Sequence, residues 1–158
     1  MNKRFIFFAA ICLLLLSCTT GNLYEKVVSI PGHQWAGNYQ PKFTFNITDT
    51  ATPYRVYVIF RHSEKYNYNN LWLRLGIQAP DSSAVSSVQY ELPLATNDKG
   101  WLASGLDDLY EHRIGLTPES GDFYFKKSGT YTFTIAQLMR EDPLQASYNV
   151  GLRIERKQ

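Results

Sequence analysis

The sequence predicts an all-β protein, an antiparallel β-sandwich or jelly roll of eight or nine strands. Short stretches of alternating polar and apolar residues recur along the chain, and turn residues separate them. Aromatic residues make up 15% of the chain, and the eleven Tyr outnumber the nine Phe, which suits half-exposed sheet faces. No stretch shows the 3.6-residue period of a long amphipathic helix, so a helical or mixed architecture is not expected.

The predicted strands can be taken in chain order. They span residues 23–30, 42–47, 54–62, 71–77, 88–94, 109–116, 123–125, 130–138 and 148–155. Pro31-Gly32 ends the first, and polar and apolar residues alternate strictly in the second. The third is apolar almost continuously from Val56 to Phe60, which predicts a central strand. Turn residues fill 96–108, so that stretch is predicted to be a loop.

The N-terminus has the layout of an export signal. Lys3 and Arg4 precede an apolar run, 5–16, which is shorter than the ~20 residues that a membrane-spanning helix needs. Ser17-Cys18 follows and resembles the lipobox of bacterial lipoproteins, in which the cysteine becomes the acylated first residue of the mature chain. The sequence thus predicts a signal peptide at 1–17, a lipidated tether at 18–22 and one β-sandwich domain at 23–158. An ordinary secretory signal is the alternative.

Charge and cysteine content exclude several classes of protein. Removal of 1–17 takes away two of the 16 basic side chains, leaving 14 against 14 acidic ones. A chain without net charge has no basic field to bind nucleic acid. The only cysteines are Cys12, within the signal, and Cys18, so the mature domain has no disulfide and depends on packed apolar surface.

Three blocks of sequence resemble one known family. They are IFRHSEKYNYNNLWL at 59–73, GWLASGLDDLYEH at 100–112 and GTYTFTIAQLMREDPL at 129–144. Together they are similar to the gliding-motility lipoprotein family GldH of Bacteroidetes, over nearly the whole mature chain. The resemblance implies an outer-membrane lipoprotein that supports gliding and the associated type IX secretion machinery, with other envelope proteins as partners. It supplies no catalytic residues, only the lipid-bearing Cys18.

Two finer expectations follow from the resemblance. The tether at 19–22 lacks the acidic residues that surface-exposed lipoproteins of this phylum tend to carry, so the domain is expected to face the periplasm. Asp49-Thr50-Ala51 matches the phylum's protein O-glycosylation motif and lies in a predicted turn, which makes Thr50 a candidate glycan acceptor.

The best candidate for a binding surface combines aromatic rings with side-chain amides. Its members are Tyr66, Tyr68, Asn69, Asn70, Trp72 and Trp101. Exposed Tyr and Trp are typical of protein interfaces. The same rings stack on sugars, which favours a carbohydrate-binding module as the alternative function. A purely structural role, with both tryptophans in the core, is also open.

Signals for enzymatic chemistry are weak. Asp107, Asp108 and Glu111 form an acidic group that can hold calcium or begin a helical turn. Ser104, Asp107 and His112 could assemble a hydrolase triad, although Ser104 lacks the glycines of a nucleophile elbow.

The three histidines, His33, His62 and His112, lack the spacing of a zinc site and are expected to be surface or loop residues. The sequence therefore predicts a binding protein with no cofactor, no metal and no small-molecule substrate.

Overall fold

A computed structural model describes residues 22–157, which contain eleven β-strands and one three-residue 3-10 helix, Pro31–His33. The strands are β1 (Asn22–Ser29), β2 (Lys42–Ile47), β3 (Tyr54–Ser63), β4 (Asn70–Gln78), β5 (Val85–Pro93), β6 (Ala95–Thr96), β7 (Gly100–Trp101), β8 (Ser104–Leu106), β9 (Leu109–Gly115), β10 (Gly129–Gln137) and β11 (Ser147–Arg156). No helix in this part of the chain is long and apolar enough to cross a membrane.

The strands form two main antiparallel sheets. One has the order β1-β11-β3-β9-β8 and the other the order β2-β10-β4-β5, while β6 and β7 pair separately. The chain changes sheet between β1 and β2, between β2 and β3, between β3 and β4, between β5 and β8, and again on either side of β10, as in a jelly roll. The predicted all-β sandwich is confirmed, and β3 is the middle strand of its sheet, as the apolar run from Val56 to Phe60 indicated.

The predicted count of eight or nine strands is wrong. Three strands of two or three residues, β6 to β8, lie where turn residues predicted a loop, because such residues also connect very short hairpins. The predicted strand at 123–125 is reduced to one bridge, Phe123 with Tyr54. The other eight predicted strands are present, with ends shifted by up to three residues.

The core lies between the two sheets and is built from the period-2 alternation of the strands. Phe43, Phe45 and Ile47 of β2 are at most 5% exposed, while the residues between them are exposed. Phe45 packs edge-on against Phe133 of the neighbouring β10, with ring centroids 5.0 Å apart. Each such buried side chain contributes about 1.5–3 kcal/mol of transfer free energy, so packing of apolar surface holds the sandwich together.

The outer face of the five-stranded sheet carries paired charges. Arg153 lies 2.6 Å from Glu25 and 2.8 Å from Glu155, and Arg61 lies 2.6 Å from Glu111. Ile59 is 1% exposed on this same face. Because half-exposed ion pairs contribute about 0–1 kcal/mol each, the network keeps this face soluble and adds little stability.

Candidate functional site

The six residues of the predicted binding surface divide between the core and the surface. Tyr66 is 3% exposed, because the loop after β3 turns its ring onto Phe60 and its hydroxyl donates to the Asn70 carbonyl oxygen at 3.0 Å. Trp101 is half-buried, and its ring centroid lies 4.4 Å from that of His62. The prediction that Tyr66 contributes to an exposed surface is therefore wrong, and Trp101 has most of its contacts within the fold.

Two of the remaining candidates, Asn69 and Asn70, line an open pocket of about 330 Å³. Its lining residues are Asn69, Asn70, Glu91, Pro93 and Ala95. The Asn70 amide donates to a Glu91 carboxylate oxygen at 2.7 Å. Trp72, opposite Glu91 in the β4–β5 register, is 39% exposed on the same sheet face. Tyr68 is half-buried against Tyr66, with ring centroids 5.7 Å apart. This region presents amide, carboxylate and indole groups together.

Glu91 and Pro93 were not among the predicted site residues. They come from β5, which pairs with β4 so that Glu91 faces Trp72 and Pro93 faces Asn70. The alternating pattern at 88–94 did predict the strand. Its register against β4 depends on the loop between the two strands, which carries no signal for cross-strand neighbours.

Beneath the surface lies a buried pair of histidines, His62 on β3 and His112 on β9. Both are 0% exposed, and their Nε2 atoms are 2.9 Å apart. His62 Nδ1 donates to the Ser63 carbonyl oxygen at 2.8 Å, so its Nε2 is the acceptor and His112 Nε2 is the donor. His112 Nδ1 is buried and has no hydrogen-bond partner within residues 22–157.

Aromatic rings enclose this histidine pair. Those of Tyr66, Trp101 and Tyr110 lie within 5.6 Å of the His62 ring, measured between centroids. Burial lowers the pKa of His62. Burial, and then the neighbouring His62, lower the pKa of His112 to about 4. Both rings are therefore neutral at pH 7.

The expectation that the histidines are surface or loop residues is wrong for two of them. The strand pattern around His62 and His112 places both on the inward face, and each satisfies a polar group of the other. His33 is exposed, and its ring stacks on Tyr148 with centroids 3.7 Å apart.

The predicted acidic group does not form one site. Asp107 and Asp108 are exposed in the two-residue turn between β8 and β9, where Asp107 has a φ of 53°. The turn belongs to a β-hairpin, so the helical-turn interpretation is wrong. Glu111 lies further along β9 with its carboxylate 2.6 Å from Arg61. Within residues 22–157, no three His, Cys, Asp or Glu side chains are grouped closely enough to hold a metal ion.

The residues of the hydrolase alternative are also kept apart. Ser104 pairs with Glu111 in the β8–β9 register, so both side chains lie on the outer face of the sheet. His112, the next residue along β9, faces inward and is bonded to His62. Ser104 and His112 are therefore on opposite faces of one sheet and form no catalytic pair.

Thr50 lies exposed in the loop between β2 and β3. The preceding Asp49 bends this loop, because one carboxylate oxygen accepts from the backbone N–H of Ala51 at 2.8 Å and of Thr52 at 3.1 Å. A hydrogen bond from the Thr52 hydroxyl is the main reason that the pKa of Asp49 is lowered. Cys18 and residues 19–21 of the tether lie outside the described residues.

The family model and the similar proteins that match this chain all point to the same family. The model of the GldH lipoprotein family matches residues 22–154. The gliding motility lipoprotein GldH homolog of Christiangramia forsetii is 28% identical over 160 residues, covering 96% of this chain and 94% of that protein. The gliding motility lipoprotein GldH of Flavobacterium johnsoniae is 28% identical over 164 residues, covering 99% and 97%.

Among solved structures, a carbohydrate-binding module specific for non-crystalline cellulose, CBM28, aligns with a TM-score of 0.46 at 11% identity, covering 85% of this chain and 73% of that one. The match to the family model runs from the start of β1 into β11, and both relatives align with this chain nearly end to end. The chain belongs to the GldH lipoprotein family.

Proposed function

We propose that this protein is a lipid-anchored, non-enzymatic binding factor that supports gliding motility and the associated type IX secretion machinery. Membership of the GldH lipoprotein family carries this proposal. Residues 1–17 are removed as a signal peptide, Cys18 carries the acyl chains, and 18–22 tether the sandwich of 23–158 to the inner face of the outer membrane, towards the periplasm.

Anchoring makes weak binding useful. Two or more acyl chains hold a protein stably on a bilayer, and confinement to a surface raises the effective concentration of neighbouring proteins. The open pocket beside Trp72 suits such contacts, because an exposed indole and unburied amides are groups that protein interfaces favour. We assign this pocket and Trp72 as the surface that holds other envelope proteins.

A carbohydrate-binding role is the second candidate function. The same pocket places the Asn70 amide and the Glu91 carboxylate beside the Trp72 ring, and these groups can bind sugar hydroxyls and a sugar face. Since Tyr66 is buried and Trp101 half-buried, Trp72 is the one well-exposed ring of the predicted surface. A single stacking ring supports a weaker glycan site than the four predicted from sequence.

The test replaces the chromosomal gene in the native bacterium with the Trp72→Ala variant and measures colony spreading, type IX secretion and proteins recovered by cross-linking. Tyr124→Ala is the matched control, because Tyr124 is a similarly exposed ring, 44%, on a different segment. We expect Trp72→Ala to lose a cross-linked envelope protein and to reduce spreading at least several-fold, while Tyr124→Ala retains both.

The outcomes separate the parts of the proposal. A deletion strain that glides and secretes normally would remove the motility role. Equal cross-linking by both variants would remove the pocket as the binding surface. Binding of purified protein to a glycan array that Trp72→Ala abolishes would favour the carbohydrate-binding alternative.

A further inference from the structure

The free edge of β5 is the least protected strand edge of the sandwich. β5 is the last strand of its sheet and pairs with β4 over all nine residues without a bulge. Of the other two long edge strands, β1 contains Glu25 and Lys26, and β2 contains Lys42. β5 has no Lys or Arg and a single charged residue, Glu91, and a long edge strand with no bulge and few charges readily pairs with another strand.

The direction of the backbone groups shows which residues of β5 are free to pair. The Leu138 N–H bonds to the Trp72 carbonyl oxygen, and the Leu94 N–H to that of Asn69. Even-numbered β4 residues therefore bond to β10, and odd-numbered ones to β5. Across the register, the even-numbered residues of β5 bond to β4. Backbone groups of its odd-numbered residues between 85 and 91 point outward, and none has a backbone partner within residues 22–157.

Two exposed apolar side chains lie on this same strand. Val85 is 61% exposed and Val88 is 44% exposed, and they are on opposite faces of the sheet. Val88 lies on the core-facing side, opposite the buried Leu75. An edge that combines free backbone groups with exposed valine favours pairing with another strand.

We propose that β5 pairs antiparallel with β5 of a second copy of this chain about a two-fold axis at Val88. In this register Ser87 faces Gln89 of the second copy and Val85 faces Glu91 of the second copy. These are the residues with outward backbone groups, so every free N–H and C=O from 85 to 91 finds a partner.

The composition of β5 favours this register over shifts of the axis towards the C-terminal end of the strand. Val88 meets its own copy in the close, non-hydrogen-bonded position, which covers an exposed apolar group. Glu91, the one charged residue of β5, lies opposite Val85 of the second copy and not opposite the second Glu91, so no like charges face each other. A shift of the axis to residue 89 or 90 would place Pro93, which has no N–H, in the new ladder. The two four-stranded sheets thereby join into one sheet of eight strands.

Cysteine cross-linking in the full-length, membrane-bound protein tests the pairing. In a non-hydrogen-bonded antiparallel pair the Cα atoms are about 4.5 Å apart, within the range of about 4.4–6.8 Å for a disulfide. A Val88→Cys chain should therefore form a disulfide dimer under mild oxidation. Val85→Cys is the matched control, because the two copies of residue 85 are about 20 Å apart in this register.

We expect at least ten-fold more dimer from Val88→Cys than from Val85→Cys on a non-reducing gel, with the wild-type chain, which lacks both introduced cysteines, setting the background. Because Val85 is the more exposed residue, random collision would favour the control. Equal cross-linking of the two variants, or a Val88→Cys product at a mass other than twice that of the chain, would overturn the proposal. Both valines are exposed, so neither substitution removes a buried core side chain and both variants should fold.

Discussion

Acidification should destabilise the fold through the buried histidine pair. An unfolded histidine titrates near pH 6.5, whereas the folded pKa of His112 is about 4 and that of His62 is also lowered. Between about pH 4 and pH 6.5, His112 is protonated in the unfolded chain but stays neutral in the folded chain. The stability contributed by the neutral pair is therefore complete above pH 6.5 and is lost as the pH falls towards 4.

The magnitude follows from the two pKa values of His112. Between pH 7.5 and pH 5, protonation of the unfolded state lowers the free energy of unfolding by about 2 kcal/mol, and the full difference below pH 4 is about 3 kcal/mol. His62 adds to this loss in the same direction. Asp49 and Asp122 have pKa values below 3.8, so their titration lies outside the window from pH 7.5 to pH 5.

Urea unfolding followed by tryptophan fluorescence at pH 7.5, 6.5, 5.5 and 5.0 measures this effect. The midpoint should fall with pH while the m-value stays constant. His33→Gln is the matched control, since His33 is an exposed histidine and its loss should leave the pH dependence intact. Replacing both His62 and His112 with Phe should make the urea midpoint nearly independent of pH between pH 7.5 and pH 5. A wild-type midpoint that is unchanged between pH 7.5 and pH 5 would refute the burial of a neutral pair.

Further predictions concern the anchor, the glycan and the backbone. Cys18→Ala should move the protein from the membrane fraction to the soluble periplasmic fraction, and a product that still sediments with membranes would contradict lipidation. Thr50→Ala should remove any glycan mass from the native protein, and a wild-type mass explained by lipid alone would end that proposal. Gly129→Ala should lower the free energy of unfolding by about 2–3 kcal/mol, because its φ is +124° and a Cβ would lie 2.9 Å from Pro80. Gly100→Ala, with φ +66° and no atom near its Cβ, should cost about 1 kcal/mol, and equal losses for the two glycines would contradict the steric argument.

Much of the fold could be predicted because strand periodicity is a local property. In residues 42–47 the alternation of Lys, Phe, Thr, Phe, Asn and Ile matches the alternation of exposed and buried positions one for one. The nearly continuous apolar run of β3 likewise indicated a central strand, and β3 is the middle strand of its sheet. Such patterns depend only on which residues share a face of one strand.

The candidate site was harder to predict because its residues come from strands distant in sequence. Tyr66 and Tyr68 are two residues apart in an amide-rich loop, yet one ring is buried and the other half-buried. The contact of His62 with His112 joins residues 50 positions apart. The burial of Tyr66 and the contact between the two histidines depend on how the loop and β9 pack onto β3. No periodicity in the sequence predicts that packing.

The sequence by itself determined the eight long β-strands, the alternation of buried and exposed residues along β2 and the resemblance to one family, because side-chain alternation and long sequence blocks are read directly from neighbouring residues. Tertiary structure alone decided that two histidines share a buried hydrogen bond, that Glu91 joins Asn70 beside Trp72, and that β5 keeps a free edge. These features depend on the register and order of the strands. Both are set by packing between segments distant in sequence, and the local alternation of residues does not determine which strands become neighbours.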